Sequence, residues 1–220
     1  MTTTRTKTVR DIVQAALRKA SILDLADQAD GETAAAAMEE LDVMLKAWQG
    51  MGYNLWTKTS GQIPLMAQAE HTLTPVRPLS ILDMRLVVQG TERDMIALSR
   101  DAYDALPYKS ARGLPTQYHY DRQREDARVY VWPVPTAVSG ETILYTYERE
   151  LEDIRSLNDT IDVPSEWWDA VILNLAARMA ETVPLGQPQT LFMRADAALA
   201  QAAAFDREDS VFFAGEWADW

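Results

Sequence analysis

Apolar residues recur at helical spacing near both ends of the chain, whereas the middle changes to short alternating runs. The N-terminal spacing predicts one helix after Thr8 and a second after Asp30, with these two residues as the N-caps. Near the C-terminus, a helix is predicted after Pro164 and a further one over residues 192–205. The second and third helices carry apolar stripes that we expect to share one core: Leu41, Leu45, Trp48, Trp168, Ile172 and Leu175.

The middle of the chain is punctuated by glycine and proline and is rich in aromatic and β-branched residues. Residues 117–120 and 128–132 predict two strands of a hairpin around the charged turn 121–126. Residues 84–88 and 93–98 predict a second hairpin, and residues 143–147 a further strand. The predicted fold class is α+β, with N- and C-terminal helices forming a helical bundle and a small antiparallel β insertion. The predicted domains are a helical body (1–52 and 151–208), the β insertion (53–150) and a C-terminal tail (209–220).

The tail, residues 209–220, is unusually aromatic for the end of a chain, which is normally polar and frayed. Its aromatic residues are Phe212, Phe213, Trp217 and Trp220. Side chains of this kind need a pocket, and two alternatives are open. Either the tail folds back on its own domain, or it docks on a partner, where aromatic anchors dominate binding energy. We call this segment the aromatic tail.

The charge balance limits the choice of partners. The chain has 33 acidic and 21 basic residues, a formal net charge of −12, and no cysteine. High-affinity binding to nucleic acid depends on lysines and arginines that neutralise phosphates, so we expect none. An acidic wall would still let a duplex slide past it. No apolar run approaches the roughly 18 residues of a membrane span, and no signal-peptide pattern opens the chain, so we expect neither a spanning protein nor a signal-led secretory one.

Signals for catalysis are poor. His71 and His119 lie in strand-like segments without a metal-binding or nucleophile motif, which favours a ladder or surface role. Glu148, Glu150 and Glu152 leave open a carboxylate-based hydrolase acting on cell-wall glycan, which would need two acids about 5 to 9.5 Å apart. A small binding module is the other alternative, with a pocket wall of Tyr118, Tyr120, Tyr130 and Trp132. The residues predict no cofactor and no metal site.

Five stretches in a fixed order carry a resemblance to a known family. They are VRDIVQAALRKASILD (9–24), residues 36–56 with MEELDVMLKAWQGMGYNLW, the Gly113-Leu114-Pro115 turn with Tyr118, VYVWPVP (129–135), and VPSEWWDAVILNLAARMA (163–180). Together they resemble the phage head-to-tail adaptors, the family of the tail accessory, or packaged-DNA-stabilisation, factors of short-tailed phages. The resemblance covers most of the chain up to about residue 181.

The resemblance implies a structural protein without catalysis, located in the virion neck and assembled in the host cytoplasm. It implies a dodecameric ring below the portal protein, contacting the portal through its helical part and C-terminal segment and a distal tail or nozzle protein on the other side. DNA would pass through the channel without specific binding, and no membrane would be involved. Combined with the acidic charge, the ring suggests candidate bore-lining acids: Glu92, Asp94, Glu125, Asp126, Glu148 and Glu150.

Overall fold

In the computed structural model, the two N-terminal helices begin at Thr8 and Asp30, which cap them. The structure describes residues 6–53, 55–73, 77–123, 126–136, 140–182 and 188–205. Thr8 caps α1 (Val9–Lys19) in a reciprocal capping box, because its hydroxyl accepts the Asp11 amide while the Asp11 carboxylate accepts the Thr8 amide at 3.0 Å. Asp30 caps α2 (Gly31–Gly50) by accepting the amides of Glu32 and Thr33. Both predicted caps are confirmed.

The chain divides into two units. The helical unit lies within Met1–Tyr53 and Glu152–Trp220, and the β unit within Asn54–Leu151. In the helical unit, α4 (Trp168–Ala180) is preceded by a 3-10 turn (Ser165–Trp167) and lies against α1, α2 and α5 (Pro188–Phe205). Nine of the 13 residues of α4 are buried, as expected for a helix that is apolar around most of its circumference.

Five of the six predicted stripe residues are buried: Leu41, Leu45, Trp48, Ile172 and Leu175. Trp168 is an exception, since it is partly exposed and its indole N–H donates to the Val163 carbonyl at 3.2 Å. Trp167 is buried in its place, 1% exposed, with its ring 5.8 Å from that of Trp48. The reason is the depth of each side of the helix: Trp167 lies one turn before Val171, which is 0% exposed, whereas Trp168 lies one turn before Ile172, which is 8% exposed.

The β unit contains two four-stranded sheets. Sheet one has the order β1-β8-β3-β4 and sheet two the order β2-β7-β6-β5. The strands are β1 (Lys58–Pro64), β2 (Glu70–Leu73), β3 (Ser80–Val88), β4 (Thr91–Asp94), β5 (Ile96–Ala97), β6 (Gln117–Arg122), β7 (Ala127–Trp132) and β8 (Thr142–Glu148). The short helix α3 (Arg100–Asp104) follows β5 and is capped by Ser99. The central hairpin is β6–β7, and the predicted strand at 143–147 is β8; both are confirmed.

The two sheets share one apolar core. Alternate residues of β7 and of β8 are buried, and the buried residues of both strands belong to the same cluster. They are Ala127, Val129 and Val131 from β7, and Ile143, Tyr145 and Tyr147 from β8. We call the side of each sheet that faces this core its inner face, and the other side its outer face.

The predicted architecture, a helical bundle with a small antiparallel insertion, is wrong. The described residues form a mixed α+β structure with five helices and two sheets of four strands, and the β5–β6 pair is parallel. One reason is that the predicted strand 93–98 serves both sheets. Arg93 and Asp94 pair with β3, whereas Ile96 and Ala97 pair with β6, and between them the buried Met95 donates its amide to the Met84 carbonyl at 2.9 Å.

Candidate functional surface

Three of the six predicted bore-lining acids lie on the outer face of sheet one. In the register of the sheet, Asp94 stands opposite Arg85, and Glu92 opposite Val87. Glu148 lies at the far end of β8, on the same face. Glu148, and the β3 residues that stand opposite Glu92 and Asp94, alternate with the buried residues of β8 and β3. The side chains of all three acids therefore point away from the core.

Arg85 is the centre of this face. Its guanidinium contacts the carboxylates of Asp83 at 2.8 Å, Glu92 at 3.1 Å and Asp94 at 3.4 Å. These contacts raise the pKa of Arg85, and the hydrogen bond to Glu92 contributes most. All four side chains are substantially exposed, so each pair contributes little to stability. The ion pairs fix the positions of the three carboxylates. Because one guanidinium faces three carboxylates, the cluster keeps a net negative charge.

The remainder of the outer face is mixed, because the apolar residues Pro64, Val87 and Leu144 also lie on it. It carries hydroxyl and amide side chains from β1 and β8, namely Ser60, Gln62, Thr142 and Thr146. Its charged residues are the four acids Asp83, Glu92, Asp94 and Glu148 and the two bases Lys58 and Arg85, which leaves a net charge of −2. Such a face offers no excess of cations to hold a phosphate backbone.

The other predicted acids lie elsewhere. Asp126 stands in the turn between β6 and β7, 3.8 Å from Arg128. Glu150 follows β8 and lies 3.7 Å from Arg77. Glu125 falls outside the described residues, and so does the whole aromatic tail with Phe212, Phe213, Trp217 and Trp220.

Asp83 and Arg85 were missed as members of this face by sequence reasoning. The register of β3 against β8 shifts between Ile81 and Asp83, which leaves Leu82 as an extra, exposed residue. The bulge interrupts the alternation on which sequence reasoning depends. The signal that could have found Arg85 is its position between the buried Met84 and Leu86.

The four aromatic residues of the hairpin do not form one pocket wall. Tyr118 and Tyr120 lie on the inner face, where Tyr118 belongs to the core and Tyr120 packs against it. Tyr130 and Trp132 lie on the outer face of sheet two, because they alternate with the buried Val129 and Val131. The side chains that the binding-module alternative requires are therefore divided between two faces.

Both histidines lie in strands, as predicted, and both are buried rather than at the surface. His71 accepts the Met66 amide through Nε2 at 3.0 Å, and its burial lowers its pKa below the usual value. His119 contacts the Leu98 carbonyl through Nδ1 at 3.0 Å, and its ring stacks on those of Tyr103 and Tyr130. Each histidine thus occupies a structural position within the β unit.

Two cavities lie between helices of the helical unit. One, of about 780 Å³, is bounded by α2, α4 and α5 and contains the 2.6 Å ion pair between Arg178 and Glu40, with Glu181 and Asp196 beside it. The other, of about 320 Å³, lies between α5 and the start of α4, next to Glu166 and Asp169. The acids considered for a hydrolase, at positions 148, 150 and 152, line neither cavity.

Three described carboxyl groups have shifted pKa values, and none of the three shifts suits a general acid. A general acid of a glycosidase requires a carboxyl group whose pKa is raised. The pKa values of Asp30, Asp104 and Asp153 are instead lowered, chiefly by hydrogen bonds from the Thr33 amide, Lys109 and Lys46 respectively. These three groups are therefore held as carboxylates.

Within the part of the chain that the structure describes, no three His, Asp or Glu side chains come together in a way that could hold a metal ion. No helix in that part has the length and apolar character needed to cross a bilayer.

Comparison with known proteins gives a family. The model of the family described as SU10 adaptor protein matches residues 7–214. A solved chain from a structure titled "Neck of empty GTA particle computed with C6 symmetry" aligns over 78% of this chain and 81% of that chain, with 13% sequence identity and a TM-score of 0.29. No curated protein matches the sequence. Because the family model spans nearly the whole sequence, the chain belongs to the SU10 adaptor protein family, which confirms the predicted resemblance to phage head-to-tail adaptors.

Proposed function

We propose that this protein is a structural connector that assembles as a ring of twelve copies on the portal protein, extends the DNA channel and links the packaged head to the tail. The observation that carries the proposal is the match to the adaptor family over residues 7–214. The partners are the portal on one side and a distal tail or nozzle protein on the other. The protein performs no catalysis in this role.

The outer face of sheet one is the surface that we assign to the channel. Its hydroxyl and amide side chains interact well with water, and its net charge of −2 per copy gives −24 for twelve copies. A negative wall repels phosphate, so a duplex passes without being held. Asp126 and Glu150 lie outside this face. In this proposal they add negative charge beside the channel wall and are not part of it.

The helical unit is the part that we assign to the portal. Its described surface includes exposed apolar side chains on α2 and α5, Val43 and Met193, which are 53% and 69% exposed. Deleting residues 209–220 should leave the thermal unfolding transition in place while weakening assembly of the ring. If the truncated protein loses that transition, the tail belongs to the protomer's own core and is no docking arm.

The assembly test uses purified protein with and without the cognate portal ring. Light scattering measures the mass of each sample, and negative-stain electron microscopy counts the copies in each ring. We expect a complex in which twelve copies sit on one portal ring. A protein that stays unbound at micromolar portal concentration would contradict the proposed function, since stable interfaces of standard size give at least that affinity.

A further inference from the structure

One end of sheet two carries an exposed apolar patch, which we call the end patch: Ile96, Tyr108, Leu114 and Trp132. Ile96 is 63% exposed, Tyr108 64% and Leu114 39%. Ile96 and Trp132 flank Gln117 in the register of the sheet, on its outer face. The Trp132 indole donates to the Tyr108 carbonyl at 3.1 Å, which places Tyr108 beside it. Exposed apolar side chains grouped in this way are typical of protein interfaces.

The end patch borders an open edge of sheet two. β5 is the last strand in the order β2-β7-β6-β5. The amides of Ile96 and Leu98 donate to carbonyls next to or within β6, at 2.9 and 2.7 Å. The amide of Ala97, between them, therefore points away from β6 toward the edge. An edge of this kind can pair with an extended segment of another chain.

The segment that carries most of the end patch is less acidic than the rest of the protein. Residues 96–116 contain Arg100, Lys109 and Arg112 against Asp101 and Asp104, a net charge of +1, which leaves −13 for the rest of the chain. Arg100 and Lys109 both contact the Asp104 carboxylate at 3.0 Å, and Arg100 also lies 3.5 Å from the Asp121 carboxylate, so these charges largely balance one another. Arg112 is exposed and donates only to the Pro135 carbonyl among the contacts described, at 3.2 Å.

The aromatic tail has the complementary chemistry. Residues 209–220 contain four aromatic residues, three acids and no base. The cavity of about 780 Å³ between α2, α4 and α5 is a poor alternative receptor, because Glu40, Glu181 and Asp196 outnumber Arg178, the base in its lining. Like charges would meet there, whereas at the end patch the tail's carboxylates meet Lys109 and Arg112.

We propose that the aromatic tail of one copy docks on the end patch of a second copy, with aromatic side chains against Ile96, Leu114 and Trp132 and acids near Lys109 and Arg112. The inference rests on the proposed ring. A closed ring of identical chains requires two different, complementary surfaces on each chain, and the tail and the end patch form such a pair.

The absence of cysteine from the chain allows a clean cross-linking test. Two single-cysteine proteins of different mass are mixed with the portal ring and oxidised: one carries Ala214→Cys in the tail, the other Leu114→Cys in the end patch. The matched control carries Leu82→Cys in place of Leu114→Cys. Leu82 is also an exposed leucine, 46% exposed, but it lies on sheet one. Non-reducing gels and mass spectrometry measure the disulfide-linked pair.

The expected result is at least about tenfold more linked pair with Leu114→Cys than with Leu82→Cys, since docking raises the effective thiol concentration. Equal yields in a sample whose ring is intact by electron microscopy would overturn the inference and leave the proposed function standing. A protein that carries both Ala214→Cys and Leu114→Cys gives a further check. A disulfide within one chain of that protein would also overturn the inference, because the tail would then dock on its own copy. Absence of any ring contradicts the proposed function itself.

A charge-reversal series gives an independent readout. Lys109→Glu with Arg112→Glu should lower the linked yield about tenfold, and so should Glu216→Lys with Asp219→Lys, because each set places like charges together. Combining the two sets on opposite partners should restore the yield. Unchanged yields in the separate sets would contradict the electrostatic part of the proposal.

Discussion

Gly61 lies directly under the ring of Tyr145 in the core of the β unit. The two residues face each other across β1 and β8. A Cβ atom on Gly61 would overlap the ring and hydroxyl of Tyr145, so the position tolerates no side chain while the ring stays in place. A glycine inside a strand commonly marks such a close approach.

Gly61→Ala should therefore destabilise the β unit by about 1–3 kcal/mol, because the Tyr145 ring must move out of a packed core. Urea unfolding followed by fluorescence measures the change. Gly50→Ala is the matched control, since no atom lies near its Cβ position at the end of α2, and it should be neutral or slightly stabilising. Equal effects of the two substitutions would contradict the packing described here.

The two adjacent tryptophans should respond very differently to truncation. Trp167→Ala removes a side chain that packs on the rings of Trp48 and Tyr53, at 5.8 and 5.7 Å, and should cost about 3–5 kcal/mol. Trp168→Ala removes a partly exposed ring and one hydrogen bond, and should cost less than half as much. Chemical denaturation of both variants checks the order, and a larger loss for Trp168→Ala would reverse the assignment of the core face.

His71 should make stability depend on pH. Burial lowers its pKa in the folded state, so the unfolded chain binds the proton more readily. Stability should therefore fall as the pH drops below the ordinary histidine pKa of about 6.5, until the folded pKa is passed. His71→Gln, which retains an acceptor for the Met66 amide, should lose this component, measured as unfolding midpoints at about pH 7.5 and about pH 5.5. An identical pH dependence of the two proteins would contradict the prediction.

Charge reversal on sheet one tests the channel wall. Glu92→Lys, Asp94→Lys and Glu148→Lys together convert the outer face from net negative to net positive. In the assembled complex, this triple variant should retain duplex DNA with a strong salt dependence, whereas the natural protein should not. The control reverses three acids of the helical unit, Asp24, Glu39 and Asp196. Equal DNA retention by the two triple variants would place the channel wall elsewhere.

Local signals in the sequence predicted the parts of the fold that depend on near neighbours. Thr8 and Asp30 were recognisable as caps because each needs only a few following amides. The β6–β7 hairpin was recognisable from its alternation and turn. At Met95 the chain crosses from sheet one to sheet two, and at Leu82 strand β3 has a bulge. Both features depend on strands that are distant in the sequence, so no local pattern reveals them. The parallel β5–β6 pair, and with it the mixed architecture of the β unit, was missed for this reason.

The candidate surface was predicted in part. Glu92 and Asp94 stand two residues apart in a strand, which places them on one face without further information. Glu148 joins them only because β8 pairs with β3, a contact between segments about sixty residues apart in the sequence. Asp126 and Glu150 were grouped with them by charge alone, and the charge of a residue does not indicate on which face of the fold its side chain lies. The aromatic tail remains a prediction.

The most direct test of the account is electron cryomicroscopy of the protein bound to its portal ring, with the electrostatic potential traced along the channel axis. The account predicts twelve copies, the outer face of sheet one turned to the channel, and a negative potential over most of the bore. A bore that is neutral or positive over most of its length, or one lined by a different face, would contradict it.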